Sequence, residues 1–277
     1  MSNSHNVGIN VLHKYKNVIG NGWILALRNI RIQILEHALG YAWTLIIPML
    51  YAACYFFIKR ELKGADMSGS EAGWDVLRAF SGIMIVQSWM LLVVSMAGMI
   101  RHHKGMLRGL NISTISFVLA IAFEGVIAIA IRAILIIAAI PILGLDLPDE
   151  LSAWLWFAVC LIMLYLSAIM VGLFLAPWAT LYSDIFKGIS SMRLPLILIS
   201  PIFYPAIERT DSALYLLNLV NPIASPLAVL ANTLRGEELS LYLMPMLVWG
   251  GLSVVLFVWS LKKLRCQVPI LLERMGS

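Results

Sequence analysis

Long apolar stretches alternate with short polar segments along this chain, and the pattern predicts helices that cross a membrane. Six stretches stand out, at residues 38–58, 79–100, 114–143, 153–178, 188–204 and 243–261. They are 17 to 30 residues long, near or above the roughly 20 apolar residues that an α-helix needs to cross a hydrocarbon core of about 30 Å. We therefore expect an all-α integral membrane protein, with a six-helix transmembrane domain at 38–261 and a short cytoplasmic tail at 262–277.

Residues 1–37 precede the first apolar stretch and predict a helix of a different kind. Its apolar residues recur at helical spacing and charged residues occupy the other faces; the apolar set is Trp23, Leu27, Ile30 and Ile34, and the charged set is Arg28, Arg31 and Glu36. This pattern is typical of an amphipathic helix lying in the membrane interface, as an anchor or as a docking surface. The sequence Gly20-Asn21-Gly22 predicts a break before it.

Composition and charge agree with the membrane assignment and orient the chain. The sequence is 61% apolar and only 13% charged, with a mean hydropathy of +0.88, far from the norm for soluble domains. Thirteen of its 20 Lys and Arg residues fall on one side of the predicted spans. By the positive-inside rule that side, and with it both termini, is cytoplasmic. The net charge of +5 therefore reflects topology, and we expect no nucleic-acid partner.

A polar, proline-rich segment interrupts the last third of the apolar pattern. It reads Ser-Pro-Ile-Phe-Tyr-Pro at 200–205 and is followed by further Asn and Pro residues. Irregular backbone at membrane depth is tolerated only where protein buries it or water lines it. The segment therefore predicts a gate or a pathway, and its candidate residues are Pro201, Phe203, Tyr204, Pro205, Asn218, Asn221 and Pro222.

Two further groups of polar residues allow more than one interpretation. The basic stretch from Arg101 to Asn111 is either a partner-contacting loop or an ordinary cytoplasmic loop, and no carboxylate accompanies its adjacent histidines to complete a metal site. Glu124 and Arg132 lie eight residues apart in one predicted span, roughly 12 Å along its axis, so they cannot pair with each other. They mark either a transport pathway or an interhelical hydrogen bond and a snorkelling arginine.

The sequence lacks the motifs that would make the chain an ATPase, a hydrolase or a zinc enzyme. It contains no Gly-x-x-x-x-Gly-Lys-Ser/Thr phosphate loop, no Gly-x-Ser-x-Gly elbow and no His-Glu-x-x-His signature. We therefore expect a chain with no catalytic residue, cofactor or metal of its own, driven by energy from another subunit. A lipid-modifying membrane enzyme is the alternative.

Four short pieces of sequence, taken in order, resemble a known family of transporters. They are Arg28-Asn29-Ile30-Arg31, Leu39-Gly40-Tyr41-Ala42-Trp43 with Pro48, the 200–205 segment, and Leu217-Asn218 with Asn221-Pro222. This order is similar to that of the membrane permeases of type-2 ABC exporters, especially those that export lipid-linked polysaccharides such as O antigen, capsule and wall teichoic acid. The chain departs from them at 32–37, where Ile-Gln-Ile-Leu-Glu-His replaces a more basic stretch.

The resemblance implies a homodimer in the bacterial inner membrane, with two copies of a cytoplasmic ATPase that binds ATP and Mg²⁺. It implies that a coupling loop at 100–113 transmits ATPase motion, through Arg101, His102, Lys104 and Arg108. Residues 204–241 would form a re-entrant periplasmic hairpin before the last helix and gate the exit. Arg28 and Arg31 would meet the lipid pyrophosphate of the substrate, or serve only as interfacial anchors.

The implied substrate is a polymer, which is too long for one closed cavity and needs a continuous channel. Aromatic side chains suit the walls of such a channel because the C–H faces of sugars pack on aromatic rings. The channel candidates are Tyr41, Trp43, Tyr51, Tyr55, Phe80 and Trp89, together with Glu124 and Arg132. Collection of Trp and Tyr at the membrane interface is the alternative for the aromatic residues. We expect O antigen first and capsule next; a related exporter of a small lipid or drug is the alternative.

Overall fold

The computed structural model describes residues 16–32, 42–63, 69–109, 112–207, 212–237 and 241–274. These residues form helices and no strand. In chain order they are α1 (16–32), α2 (Trp43–Lys63), α3 (Gly69–Ala97), α4 (Met99–His102), α5 (Lys104–Gly109), α6 (Thr114–Ile142), α7 (Leu151–Leu181), α8 (Ser183–Ser191), α9 (Arg193–Ile199), α10 (Ala213–Val220), α11 (Ala224–Arg235) and α12 (Leu243–Arg274).

Four of the described helices are long and apolar enough to cross a membrane. The spans lie in α3, α6, α7 and α12, at Glu71–Ala97, Thr114–Ile142, Leu151–Leu181 and Leu243–Leu264. The α10–α11 pair, bent by 101°, brings the number to five if it counts as one broken span. The apolar part of α2, Leu45–Ile58, is shorter. The chain is thus a multi-pass, all-α membrane protein, and the predicted number of six spans is not confirmed.

The predicted fifth span, 188–204, is not one continuous helix. Its residues belong to α8, to α9 and to a non-helical segment at 200–207. The proline at 201 explains where α9 ends, because proline disfavours helical backbone in the residue before it. Ser200 accordingly has an extended conformation, with φ −73° and ψ 152°. The stretch is apolar, as its sequence shows, but Pro201 ends its helical part before residue 204.

The helix α3 lies at the centre of the bundle and contacts α2, α6 and α7. In its most apolar window 78% of the residues are buried, against 22% for α6 and for α12. Close approach of α3 to α7 depends on Gly172, where an added Cβ would lie 2.5 Å from Cβ of Met96 and 2.9 Å from the carbonyl oxygen of Val93. Small residues allow such approach between membrane helices. Large parts of α6 and α12 remain uncovered by the rest of the chain.

The N-terminal helix α1 packs along α6. It runs unbroken through Gly20 and Gly22, so the predicted break there is wrong. An added Cβ at Gly22 would lie 2.9 Å from Cβ of Leu119 and 3.1 Å from the carbonyl oxygen of Ser116. Gly22 therefore allows the two helices to pack closely and does not break α1. The ring of Trp23 meets Phe123 edge-on at 5.4 Å, and Ser116 Oγ donates to the carbonyl of Val18 over 3.1 Å.

The segments predicted as a coupling loop and a C-terminal tail are both largely helical. Residues 99–109 form the short helices α4 and α5, which meet at His103. The last helix, α12, continues past residue 261 to Arg274. Its side chains at Leu264, Val268 and Leu271 are buried, and the guanidinium of Arg108 on α5 donates to the carbonyl of Leu272. The end of α12 is therefore packed against the segment that contains α5.

Candidate functional site

The non-helical segment at 200–207 is joined to the α10–α11 bend by one asparagine. The Nδ2 group of Asn221 donates to Ser200 Oγ over 2.9 Å, and its Oδ1 accepts a hydrogen bond from the backbone N–H of Ile223 over 3.0 Å. Asn221 has extended backbone because Pro222 follows it. The side chain of Asn221 thus forms hydrogen bonds at both interruptions of helical structure, at Ser200 and at the α10–α11 bend, although Ser200 and Asn221 lie 21 residues apart in sequence.

A polar cluster adjoins this junction, made of Tyr204, Asn218, Tyr215 and Tyr242. Asn218 is 0% exposed, and the hydroxyl of Tyr204 approaches its Oδ1 at 3.5 Å while also donating to the carbonyl of Ile199. Tyr242, just before α12, donates to the carbonyl of Ile207 over 2.7 Å. The rings of Tyr215 and Tyr242 lie 5.7 Å apart. These contacts join the predicted gate residues Tyr204 and Asn218, and together with the Asn221–Ser200 hydrogen bond they tie the 200–207 segment to α10 and to the start of α12.

The cluster also contains residues that sequence reasoning missed. Tyr215 and Tyr242 stand at positions with no distinctive motif, and only their contacts reveal them. Trp249 on α12 likewise donates to the carbonyl of Leu219 over 2.8 Å, tying α10 to the last helix. At the far end of the bend, α11 stops at Gly236, whose φ of 72° lies in the left-handed region that favours glycine.

Beside the segment is an open cavity of about 400 Å³. It is bounded by α2, α3, residues 203–205 and the end of α11, through Tyr55, Glu71, Asp75, Arg78, Phe203, Tyr204, Pro205 and Arg235. A second cavity of about 120 Å³ adjoins it, since both touch Arg78, Pro205 and Arg235, and Pro201 lines this second one. Positions 71, 75 and 78 share one helical face, which the structure turns toward the cavity.

Ion pairs and hydrogen bonds order the cavity wall. Arg78 Nη2 lies 2.5 Å from Asp75 Oδ1, and Arg78 Nε donates to the carbonyl of Ile202 over 3.4 Å. Arg235 Nη1 lies 3.2 Å from Glu237 Oε1, and its guanidinium sits 5.9 Å from the centre of the Trp74 ring. Each arginine therefore has an acidic neighbour within its own short stretch of chain.

The predicted channel aromatics fall into two groups. On α2, Trp43 and Tyr51 are 49% and 46% exposed. Tyr55 on the same helix donates to the carbonyl of Phe203 over 2.9 Å, with ring centres 5.2 Å apart. Two others, Phe80 and Trp89 on α3, are buried, and the indole of Trp89 donates to Ser167 Oγ over 2.9 Å. Their burial favours a packing role, and Tyr41 lies outside the described residues.

The two ionisable residues of α6 have separate environments, as their spacing predicts. Asn29 Nδ2 on α1 donates to Glu124 Oε1 over 2.7 Å. Arg132 is buried, and its Nη1 donates to the carbonyl of Ala128 over 3.0 Å. For Glu124 the contact is an interhelical hydrogen bond, the packing alternative considered from sequence.

Two of the basic residues before α6 contact the same aromatic side chain, Phe186 on α8. His102 meets the Phe186 ring edge-on at 5.7 Å, and the Arg101 guanidinium lies 5.7 Å from the centre of the same ring. Partial burial lowers the pKa of His102, and the neighbouring His103 and Arg101 lower it further. His102 is therefore mainly neutral at pH 7, because its ordinary pKa of 6.5 already lies below that pH.

Arg28 and Arg31 lie on the exposed side of α1. Arg28 Nη1 contacts Met106 Sδ at 3.4 Å, linking α1 to α5, and Arg31 is exposed. In the part of the chain that the structure describes, no three His, Cys, Asp or Glu side chains lie close enough to hold a metal ion.

Four long apolar spans, together with a proline-broken segment and its adjoining cavities, define a multi-pass membrane protein among the described residues. The chain belongs to the ABC-2 type transporter family, whose profile matches residues 21–234, from within α1 to within α11. A comparison with curated proteins returns no match. The chain is accordingly a permease subunit of an ABC transporter and not itself an enzyme, and its family implies an ATPase partner.

Proposed function

We propose that this permease exports a lipid-linked polysaccharide across the bacterial inner membrane, O antigen in the first place and capsule in the second. It would act as a homodimer with two ATPase subunits, which bind the ATP and Mg²⁺. The ABC-2 family match supports the transport role. The observation that carries the choice of substrate is a set of aromatic side chains along α2, here called the aromatic row, part of which the rest of the chain leaves exposed.

The aromatic row consists of Trp43, Tyr51 and Tyr55, continued by Phe203 from the broken segment. Trp43 and Tyr51 are about half exposed, and Tyr55 contacts Phe203 directly. From residue 43 to residue 55 a helix rises about 18 Å. Several rings spaced along one helix offer repeated, weak contacts to the C–H faces of sugars. Such contacts suit a long chain that must slide, whereas a small cargo needs one enclosed site.

The topology proposed for this export follows from the positive-inside pattern. Both termini and the α4–α5 segment are cytoplasmic, and the 200–207 segment lies toward the periplasm. In this arrangement α2 and the α8–α9 region supply the crossings beyond the four long spans, to give six. The α10–α11 pair, bent by 101°, is the re-entrant hairpin.

The mechanism begins at the cytoplasmic side, where Arg28 and Arg31 attract the lipid pyrophosphate by charge-assisted hydrogen bonds. Motion of the ATPase reaches α4 and α5, which contain Arg101, His102, Lys104 and Arg108. Because Arg28 contacts Met106 and α1 packs on α6, a displacement of α5 would move the arginines and α6 together. The glycan would then pass along the aromatic row toward the gate segment.

The decisive experiment measures surface polysaccharide in a strain that lacks this chain, together with the lipid-linked glycan retained inside the cell. Loss at the surface with accumulation inside is the expected result. Normal surface polysaccharide without accumulation would overturn the polymer proposal. A related exporter of a small lipid or drug would then be the better candidate.

The coupling assignment has its own test, the double variant Lys104→Glu with Arg108→Glu. The matched control is Lys262→Glu with Lys263→Glu, an equal charge change at exposed positions of α12. We expect the first pair to reduce export and co-purification of the ATPase, and the control pair to leave both unchanged. Normal export and partner binding in the first pair would remove the α4–α5 segment from the coupling role.

A further inference from the structure

The cavity of about 400 Å³ beside the broken segment has the size of a ligand site and an uneven lining. Ligand pockets commonly enclose about 300–1,000 Å³. One part of its wall is aromatic, and the other part is charged. The aromatic part comprises Tyr55, Phe203 and Tyr204, and the charged part comprises Glu71, Asp75, Arg78 and Arg235.

The charges of the lining cancel. Two carboxylates, Glu71 and Asp75, face two guanidinium groups. Asp75 lies 2.5 Å from Arg78, and Arg235 is paired with Glu237 outside the cavity at 3.2 Å. An anionic ligand would have to compete with these carboxylates for both arginines. The cavity therefore favours a neutral ligand that both donates and accepts hydrogen bonds.

The aromatic part of the wall is held in place by the backbone. The hydroxyl of Tyr55 donates to the carbonyl of Phe203 over 2.9 Å, and the two rings lie 5.2 Å apart at an interplanar angle of 41°. Tyr204 is fixed by its contacts to Ile199 and Asn218. The rings therefore form a preformed apolar surface, which reduces the entropic cost of binding.

A sugar ring matches both parts of this wall. Its C–H face is apolar and packs on aromatic rings. Its hydroxyl groups donate to carboxylates such as Glu71 and accept from guanidinium groups such as Arg78. An apolar ligand would displace water from the charged part of the wall without offering it hydrogen bonds, at a cost that disfavours such a ligand.

We infer that this cavity binds a neutral sugar residue of the exported glycan at the periplasmic end of its path. The inference rests on the proposed export function and adds a defined position to it. Glu71 opens the span of α3, so the site lies where the glycan would leave the membrane. A bound residue there opposes backsliding of the polymer between steps.

The test places a photo-crosslinking amino acid at Glu71 in the full chain, expressed with its ATPase in cells that make the polysaccharide. The same amino acid at Asp149 is the control. Asp149 is exposed in the connection between α6 and α7, on the same proposed side, and does not line the cavity. After illumination the chain is purified under denaturing conditions, and attached carbohydrate is detected by periodate oxidation and hydrazide labelling.

We expect carbohydrate on the Glu71 variant at least tenfold above the Asp149 variant, and only with an ATPase competent for hydrolysis. Sugar analysis of the captured fragment should show neutral residues at the attachment point. Equal labelling at the two positions, or capture of uronic acid or phosphorylated sugar alone, overturns the inference. If the Glu71 variant gains no label, but deletion of the chain makes glycan accumulate inside the cell, the inference is overturned and the export proposal stands. If the Glu71 variant gains no label and the deletion strain has normal surface polysaccharide, the inference and the export proposal are both overturned.

Discussion

The side-chain amide of Asn29 donates a hydrogen bond to Glu124 Oε1 over 2.7 Å, and this contact joins α1 to the middle of α6. An ionisable side chain within a membrane span is costly unless it has a partner. Asn29 supplies that partner from a helix outside the long spans. The N-terminal helix is therefore attached to the bundle through a polar contact as well as through the close packing at Gly22.

Replacing Asn29 with alanine should destabilise the protein, because Glu124 would lose this hydrogen-bond donor in a partly buried position. The expected loss is about 1–3 kcal/mol in the free energy of unfolding. Asn21→Ala on the exposed side of the same helix should change it by less than about 0.5 kcal/mol. Unfolding by sodium dodecyl sulfate in mixed micelles measures both. Equal effects of the two changes would contradict a specific role for the Asn29–Glu124 contact.

Gly22→Ala should weaken the packing of α1 on α6. The new Cβ would lie 2.9 Å from Leu119 Cβ, so one of the helices must shift, at about 1–3 kcal/mol. Gly20→Ala is the matched control, because no atom lies within 4 Å of a Cβ there. That change should be neutral or stabilising by up to about 1 kcal/mol, since alanine favours helix over glycine. The same unfolding measurement would refute the packing argument if Gly22→Ala proved harmless.

Asn221→Ala should loosen the junction between the 200–207 segment and the α10–α11 bend. It removes the donor to Ser200 and the acceptor for the Ile223 amide, at about 1–3 kcal/mol in total. Asn221→Asp keeps the acceptor and can accept from the Ser200 hydroxyl, so it should retain most of the order. Deuterium exchange of the Ile223 amide provides the measurement. Faster exchange in the aspartate variant than in the alanine variant is the outcome that this geometry forbids.

Stability should depend on pH through His102. Its pKa in the folded protein is lowered below the ordinary 6.5, so the unfolded chain binds more protons between these two values. Stability is therefore constant above about pH 6.5 and falls as pH drops from there toward the folded-state pKa. His102→Gln should flatten this part of the profile. Thermal unfolding between pH 8 and pH 5 tests it, and an unchanged slope in the variant would assign the pH dependence to another group.

Several features of this protein follow from local chemistry and could be predicted from the sequence. The apolar lengths of α3, α6, α7 and α12 decide that these helices cross the membrane, because hydrocarbon offers the backbone no other hydrogen-bond partner. Pro201 and Pro222 restrict the backbone of Ser200 and Asn221, the residues before them, whatever those residues pack against. The apolar residues of α1 recur at helical spacing, so this helix too could be predicted from its local sequence. Each of these effects acts along the chain within a few residues.

Only the tertiary structure decided which distant residues meet. Apolar side chains surround a membrane helix on its lipid side and its protein side alike, so the sequence of α3 does not reveal which face meets α7. The sequence suggested a break at Gly22, whereas packing on α6 makes that residue a helix contact. The cavity joins Glu71 and Arg78 of α3 with Phe203 and Arg235. Such a meeting depends on how α2, α3 and α11 pack together, which no local pattern in the sequence records.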